Sequence, residues 1–233
     1  MKKYTVGVVG ATGMVGQRFV TLLENHPWFQ LTVVAASARS AGKSYEEAVG
    51  PRWAMTTPIP EEAKSLVVLD ALADRETIAS SVDFIFCAVD MKKEEIRALE
   101  ESYAKLECPV ISNNSAHRWT PDVPMVIPEV NPEHLQVIQA QKSRLGTRRG
   151  FIAVKSNCSI QSYAPALHPL RRFGITQVLV CTYQAILAFS SPSASSPMGE
   201  TTAAVPVPQA SSSLPLSAAS NSSSAVMSRS STA

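Results

Sequence analysis

No apolar run in the 233-residue sequence approaches the roughly 18–20 residues that cross a bilayer, so no membrane helix is expected. Neither sign of charge is in excess. Lys and Arg number 21 against 19 Asp and Glu, a formal net charge of +2, which leaves no basic stripe for a phosphate backbone and argues against nucleic acid as a partner. Cysteine is scarce. Cys87, Cys108, Cys158 and Cys181 match neither zinc-ligand spacing nor a CxxC redox pair, so no metal site and no disulfide framework is expected. Segment 1–10 joins two lysines to a short apolar run but has no small-residue cleavage pattern, so it reads as a strand rather than an export signal. The cytoplasm is the expected compartment. What remains, 45% hydrophobic and 17% charged residues, is the composition of an ordinary globular chain with a sizeable core.

Strand and helix signals alternate along the first part of the chain. Tyr4–Val9, Leu31–Ala36, Leu66–Leu69, Asp83–Val89 and Val110–Ser112 are apolar strand candidates. Between them, Met14–Asn25 has helical spacing, with Val15, Phe19, Leu22 and Leu23 on one face, and Lys92–Leu106 is a charged amphipathic helix. Near-continuous apolar strands alternating with helices predict an α/β fold, a Rossmann-type doubly wound parallel sheet. Residues 113–131 read as loop. Pro132–Ser143 reads as a helix with Leu135, Val137 and Ile138 inward, Gly150–Val154 as a strand, Ser159–Phe173 as a helix and Gln177–Ala185 as a strand.

Two segments carry chemistry on their own residues. Gly7-Val-Val-Gly10-Ala-Thr-Gly13-Met-Val-Gly16 lies between a strand and a helix, the setting of a dinucleotide fingerprint. Gly10 allows the tight turn, Gly13 lets the backbone approach a pyrophosphate, and Gly16 lets the helix pack closely. Gly10, Thr12, Gly13, Met14 and Val15 are the expected phosphate contacts, at the amides of the helix start. The second strand ends in Ser37-Ala38-Arg39-Ser40 rather than a carboxylate. Hydroxyls and a cation suit a 2′-phosphate, so NADP is the expected cofactor and Ser37, Arg39 and Ser40 its selectors; a plain basic loop has the same composition. Cys158, in Ser156-Asn157-Cys158-Ser159, falls where a strand meets a helix start. A cysteine there is either structural or a thiolate nucleophile whose oxyanion the first helical amides can hold. The other three cysteines read as buried small hydrophobes.

Taken in order, G-A-T-G-M-V-G-Q-R-F from Gly10, S-A-R-S-A-G-K from Ser37, S-N-N-S-A-H-R from Ser112, V-I-P-E-V-N from Val126, S-N-C-S from Ser156 and T-Y-Q-A from Thr182 resemble aspartate-semialdehyde dehydrogenases of the archaeal and fungal branch. The resemblance covers residues 1 to about 186. It implies NADPH-dependent reduction of L-aspartyl 4-phosphate to aspartate 4-semialdehyde and phosphate, on the route to lysine, methionine and threonine. It further implies Cys158 as the nucleophile forming a thioacyl enzyme, Asn157 orienting the site, Gln184 touching the acyl group, and Arg118 holding the substrate phosphate with Asn114 beside it. His168 lies too far along its helix from Cys158 for proton transfer, and His117 reads as structural. N-acetylglutamyl-phosphate reductase shares the glycine loop and the cysteine logic, and a non-catalytic NADP-binding module remains the alternative from a different class.

The family continues with a Ser-Gly-Ala-Gly turn, an acidic residue and an arginine for substrate, a histidine base, a dimer-forming sheet and a last helix. None has a counterpart in Leu187–Ala233, where Glu200 and Arg229 are the only charged residues. The expected organisation is therefore an NADP-binding domain over residues 1–155, the opening of a truncated α+β catalytic and dimerisation domain over 156–186, and a disordered Ser/Ala/Pro-rich tail over 187–233. So abrupt a switch is what a change of reading frame or a misplaced splice produces. With base and substrate residues missing, this polypeptide is expected to turn over little and to lack the family's homo-oligomer.

Overall fold

The computed structural model describes residues 2–182 and 201–206. The chain falls into two compact units, Met1–Pro169 and Leu170–Ala233. In the first, seven strands form one sheet: β1 Tyr4–Val9, β2 Phe29–Ala36, β3 Val68–Asp70, β4 Phe84–Cys87, β5 Val110–Ser112, β6 Met125–Val126 and β7 Ile152–Lys155. Their spatial order is β3-β2-β1-β4-β5-β7-β6, and every pairing is parallel. The chain builds outward from β1 to β3, returns to the other side of β1 at β4, and builds outward again. That reversal between β1 and β4 is the crevice where open α/β sheets take ligands, at the C-terminal strand ends.

Side chains alternate along the strands and feed two cores. Val6 and Val8 of β1, with Leu31, Val34 and Ala36 of β2, pack under α1 (Met14–Leu23), α2 (Tyr45–Val49) and α3 (Glu61–Lys64). Val9, Val33, Ala35, Ile85 and Cys87 face the other way. They pack with α4 (Arg75–Ser81) and α5 (Lys93–Lys105), burying Ile78, Leu99 and Tyr103. Helices on both faces of a parallel sheet are the doubly wound arrangement the alternation predicted.

Several elements depart from the sequence reading. The buried stripe of α1 is Gly16, Gln17, Val20 and Leu23, while Val15 and Leu22 are 42% and 56% exposed. Close packing decides this: a Cβ at Gly16 would strike the Gly10 carbonyl and the Ala11 backbone, so the helix turns its smallest residue inward. Helices α2, α3 and α4, of 5, 4 and 7 residues, are too short for periodicity to reveal. β6 lies inside the expected loop. Pro132–Val137 is 3-10 helix, and α6 spans Ile138–Leu145. Leu135 is 44% exposed, and Gln141 is the residue of α6 that is buried. The helix expected over Ser159–Phe173 divides into α7, Cys158–Leu167, and a 3-10 turn, His168–Phe173, because Pro169 cannot donate to the carbonyl one turn back.

In the second unit, β8 (Gln177–Thr182) pairs antiparallel with β9 (Thr201–Pro206), from Gln177–Pro206 to Thr182–Thr201. β9 lies in the segment expected to be disordered. Its backbone hydrogen bonds go to β8. The rest of residues 187–233 is outside the described residues. No helix among the described residues is long and apolar enough to cross a membrane.

Candidate active site

The glycine loop follows β1 at the reversal point. Gly10 has φ +89° and is tied to the end of β2, its N–H donating to the Ala35 carbonyl at 2.8 Å, with Ala11 N–H on the same oxygen at 3.0 Å. A Cβ at Gly10 would clash with the Ala88 carbonyl beyond β4, so the loops after β1 and β4 meet there. Gly13 differs. It caps α1 without a side-chain hydrogen bond, and a Cβ on it would meet only the Gly10 oxygen at 3.5 Å, an ordinary contact. The fold itself demands Gly10 and Gly16, whereas the space at Gly13 is open. Beside it, Met14 and Val15 carry amides of a first helical turn, which have no partner within the helix. Gln17, which the sequence reading passed over, holds this loop from inside: Nε2 donates to the Thr12 and Arg52 carbonyls, both at 3.0 Å, and Oε1 accepts from Ala54 N–H at 2.8 Å.

The turn after the neighbouring strand β2 is closed by Ser40 N–H on the Ser37 carbonyl at 2.9 Å. Ser37 and Arg39 are exposed and Ser40 is buried. Two exposed groups, rather than three, are thus presented next to the glycine loop.

Cys158 lies at the same sheet edge, after β7. Asn157 is the N-cap of α7, its Oδ1 accepting from Ser159 N–H at 2.9 Å, so Cys158 is the first helical residue rather than the cap. The thiol is exposed and lies 3.7 Å from Asn157 Oδ1. β7 is three strands from β1, so the thiol and the glycine loop are on the order of 14 Å apart along the edge, a span that an extended cofactor bridges. Lys155, the last residue of β7, has its ammonium lowered from the ordinary range by burial; the Cys158 sulfur opposes that shift and Arg118 adds to it. Three ionisable groups therefore share one neighbourhood.

Arg118 and Asn114 come from the loop after β5, the strand beside β7. Arg118 Nε donates to the Lys155 carbonyl at 3.2 Å, three residues before Cys158. Asn114 sits farther back, its Nδ2 donating to Glu100 Oε1 at 2.8 Å and reaching Cys87 Sγ at 3.5 Å. Glu100 was not among the residues singled out in the sequence, because one acid on a charged amphipathic helix looks solvated. It is fully buried. His117 is buried too, and burial lowers its imidazole while the Glu100 carboxylate opposes that. The other cysteines divide. Cys87 and Cys108 are buried, burial pushing the Cys108 thiol up to about 12 and the Cys87 thiol well above its ordinary range. Cys181 is exposed, against expectation, at the end of β8, a strand of the second unit rather than of the packed sheet. Gln184 lies outside the described residues.

A cavity of about 650 Å³ lies elsewhere among the described residues, on the sheet face lined by Phe29, Phe84, Phe86, Ile111 and Phe151. Its lining is apolar but for Asp83 and Arg149, and it contains none of the residues described above.

Residues 5–138 match the family model described as semialdehyde dehydrogenase, NAD binding domain. The aspartate-semialdehyde dehydrogenase of Archaeoglobus fulgidus is 41% identical over 184 residues, which are 79% of this chain and 51% of that protein. That of Aspergillus fumigatus is 40% identical over 186 residues, 79% of this chain and 49% of that protein. The crystal structure of aspartate semialdehyde dehydrogenase with NADP from Candida albicans superposes with a TM-score of 0.67 at 35% identity, covering 79% of this chain and 51% of the other. The chain spans about half the length of the curated relatives it matches.

Proposed function

Because the chain belongs to the semialdehyde dehydrogenase family through its NAD-binding domain, we propose that it carries the cofactor and nucleophile half of an NADP-dependent aspartate-semialdehyde dehydrogenase. The observation that carries this reading is the exposed Cys158 thiol at the first turn of α7, on the same sheet edge as the open glycine loop, with Arg118 bonded to the carbonyl of Lys155, three residues before the cysteine.

In this reading residues 1–155 form the cofactor domain and 156–186 open the catalytic half. The vacant side of Gly13 and the amides of Met14 and Val15, with Gly10 and Thr12, fit a pyrophosphate, and the exposed Ser37 and Arg39 fit a 2′-phosphate better than a bare ribose. Ser40 closes their turn. When bound, the nicotinamide supplies a hydride.

The chain's own residues would act as follows. Arg118 holds the phosphate of L-aspartyl 4-phosphate, with the Lys155 ammonium near by. Cys158 sulfur attacks the acyl carbon, and the carbon–oxygen bond to phosphate breaks, leaving a thioacyl enzyme and free phosphate. The amides of α7 hold the oxyanion of that step, while Asn157 caps the helix and orients the thiol. Gln184 contacts the acyl group. Reduction of the thioester then yields aspartate 4-semialdehyde and the free thiol.

The test is acylation of the protein by L-aspartyl 4-phosphate, read by peptide mapping. One aspartyl group on the peptide that carries Cys158, absent from Cys158→Ala, is expected. Labelling elsewhere, or equal labelling of the variant, contradicts the assignment.

A further inference from the structure

The buried face of α5 is Ile96, Leu99, Glu100, Tyr103 and Ala104, and Glu100 is its single charged residue. An acid fully removed from water, as Glu100 is, destabilises the fold unless its oxygens are bonded. The Glu100 carboxylate is spent on one target. Oε1 accepts from Ser112 Oγ at 2.6 Å and from Asn114 Nδ2 at 2.8 Å, and Ser112 Oγ accepts in turn from Asn114 N–H at 3.0 Å. Among the described residues Oε2 has no hydrogen-bond partner; it faces His117 Nε2, which has none there either, at 4.0 Å. The other ring nitrogen of His117 lies 3.0 Å from Thr120 Oγ1. One turn earlier on α5, Arg97 Nε donates to the Ala116 carbonyl at 2.8 Å. The segment that begins at Ser112 is therefore held from one side by α5 at Ser112, Asn114 and Ala116, and Arg118 follows two residues later.

We propose that Glu100 is the positioning residue of the phosphate subsite: by holding Ser112 and Asn114 it keeps the loop in the shape that delivers Arg118 to the Lys155 carbonyl, three residues before Cys158. This rests on the reading of Arg118 as the phosphate-binding cation. Glu100 is fully buried, so its effect passes through the loop alone. Its amide analogue should do the same work, since a Gln oxygen still accepts from Ser112 and Asn114.

Three variants of the 233-residue chain, Glu100→Ala, Glu100→Gln and Arg118→Ala, separate the possibilities. The readouts are hydrogen exchange of residues 113–118, calorimetric titration with inorganic phosphate, and titration with NADPH. Glu100→Ala is expected to speed exchange of the loop and weaken phosphate binding about tenfold or more, with NADPH affinity held within about twofold. Glu100→Gln is expected to restore exchange and phosphate affinity to within about threefold of the parent. Unchanged exchange in Glu100→Ala overturns the proposal, as does an equal loss of phosphate and NADPH affinity, which is what general destabilisation gives. Phosphate binding that survives Arg118→Ala removes the phosphate assignment instead, and the exchange data still decide whether Glu100 positions the loop. Should Glu100→Ala not fold, Ser112→Ala removes one of the two bonds to Oε1; an unaltered loop there overturns the proposal equally.

Discussion

Single residues in the cofactor loop do different work, and substitution separates them. At Gly10 an alanine meets both a left-handed φ and the Ala88 carbonyl, so Gly10→Ala should cost at least about 1–3 kcal/mol of stability, read as a lowered denaturant midpoint. At Gly13 the backbone is extended and the nearest atom is 3.5 Å from the added carbon. Gly13→Ala should leave the midpoint within about 0.5 kcal/mol while weakening NADPH binding about tenfold or more. Equal effects of the two would mean that Gly13 serves the fold and not a ligand. The type and spacing of these glycines were legible in the sequence, because a strand-to-helix turn has few solutions. Their division of labour was not, since it depends on what a Cβ would meet across the β1–β4 crevice. Glu100 and Gln17 escaped for a related reason: each looks like a solvated side chain until its helix is set against the sheet.

At the scale of elements, side chains stand in for missing ladder partners. Gln141, buried in α6, accepts from Ile152 N–H at 2.6 Å and donates to the Ile152 and Asp122 carbonyls at 2.9 Å, so it anchors the first residue of β7. Gln141→Leu leaves these buried groups unpaired and should cost about 2–4 kcal/mol, measured by chemical denaturation; a cost near zero would show that the anchor is dispensable. Glu107, with positive φ after α5, accepts from the N–H groups of Arg148, Arg149 and Gly150, which lower its carboxyl to about 2 from the ordinary 4.5. A folded-state value below the unfolded one stabilises above about pH 4.5, and that contribution is lost as pH falls towards about 2. Glu107→Gln should therefore flatten the acid side of a stability-against-pH curve, and an unchanged slope between those limits would rule the contact out. The long elements, β1, β2 and α5, were readable from apolar period. The short helices and the two-residue β6 were not, because fewer than two turns or a single pairing leave no period to read.

At the scale of the molecule, the sheet order places three loops, after β1, β5 and β7, along one edge, and the proposed cofactor and nucleophile positions fall there. The parallel sheet was legible in the strand–helix alternation, and its strand order was not, because the alternation does not say on which side of β1 the chain returns. In our reading, residues 187–233 supply neither the histidine base nor the further substrate arginine that the family resemblance calls for. The polypeptide assayed alone with aspartate 4-semialdehyde, NADP and phosphate should show negligible turnover, and turnover near that of a full-length relative would refute this. The central claim, a cofactor site at the glycine loop selective for the 2′-phosphate, is tested most directly by titrating the protein with NADPH and with NADH. One saturable site is predicted, tighter for NADPH by about tenfold, with Arg39→Ala abolishing the difference. Equal affinities, or no binding of either, would contradict the account.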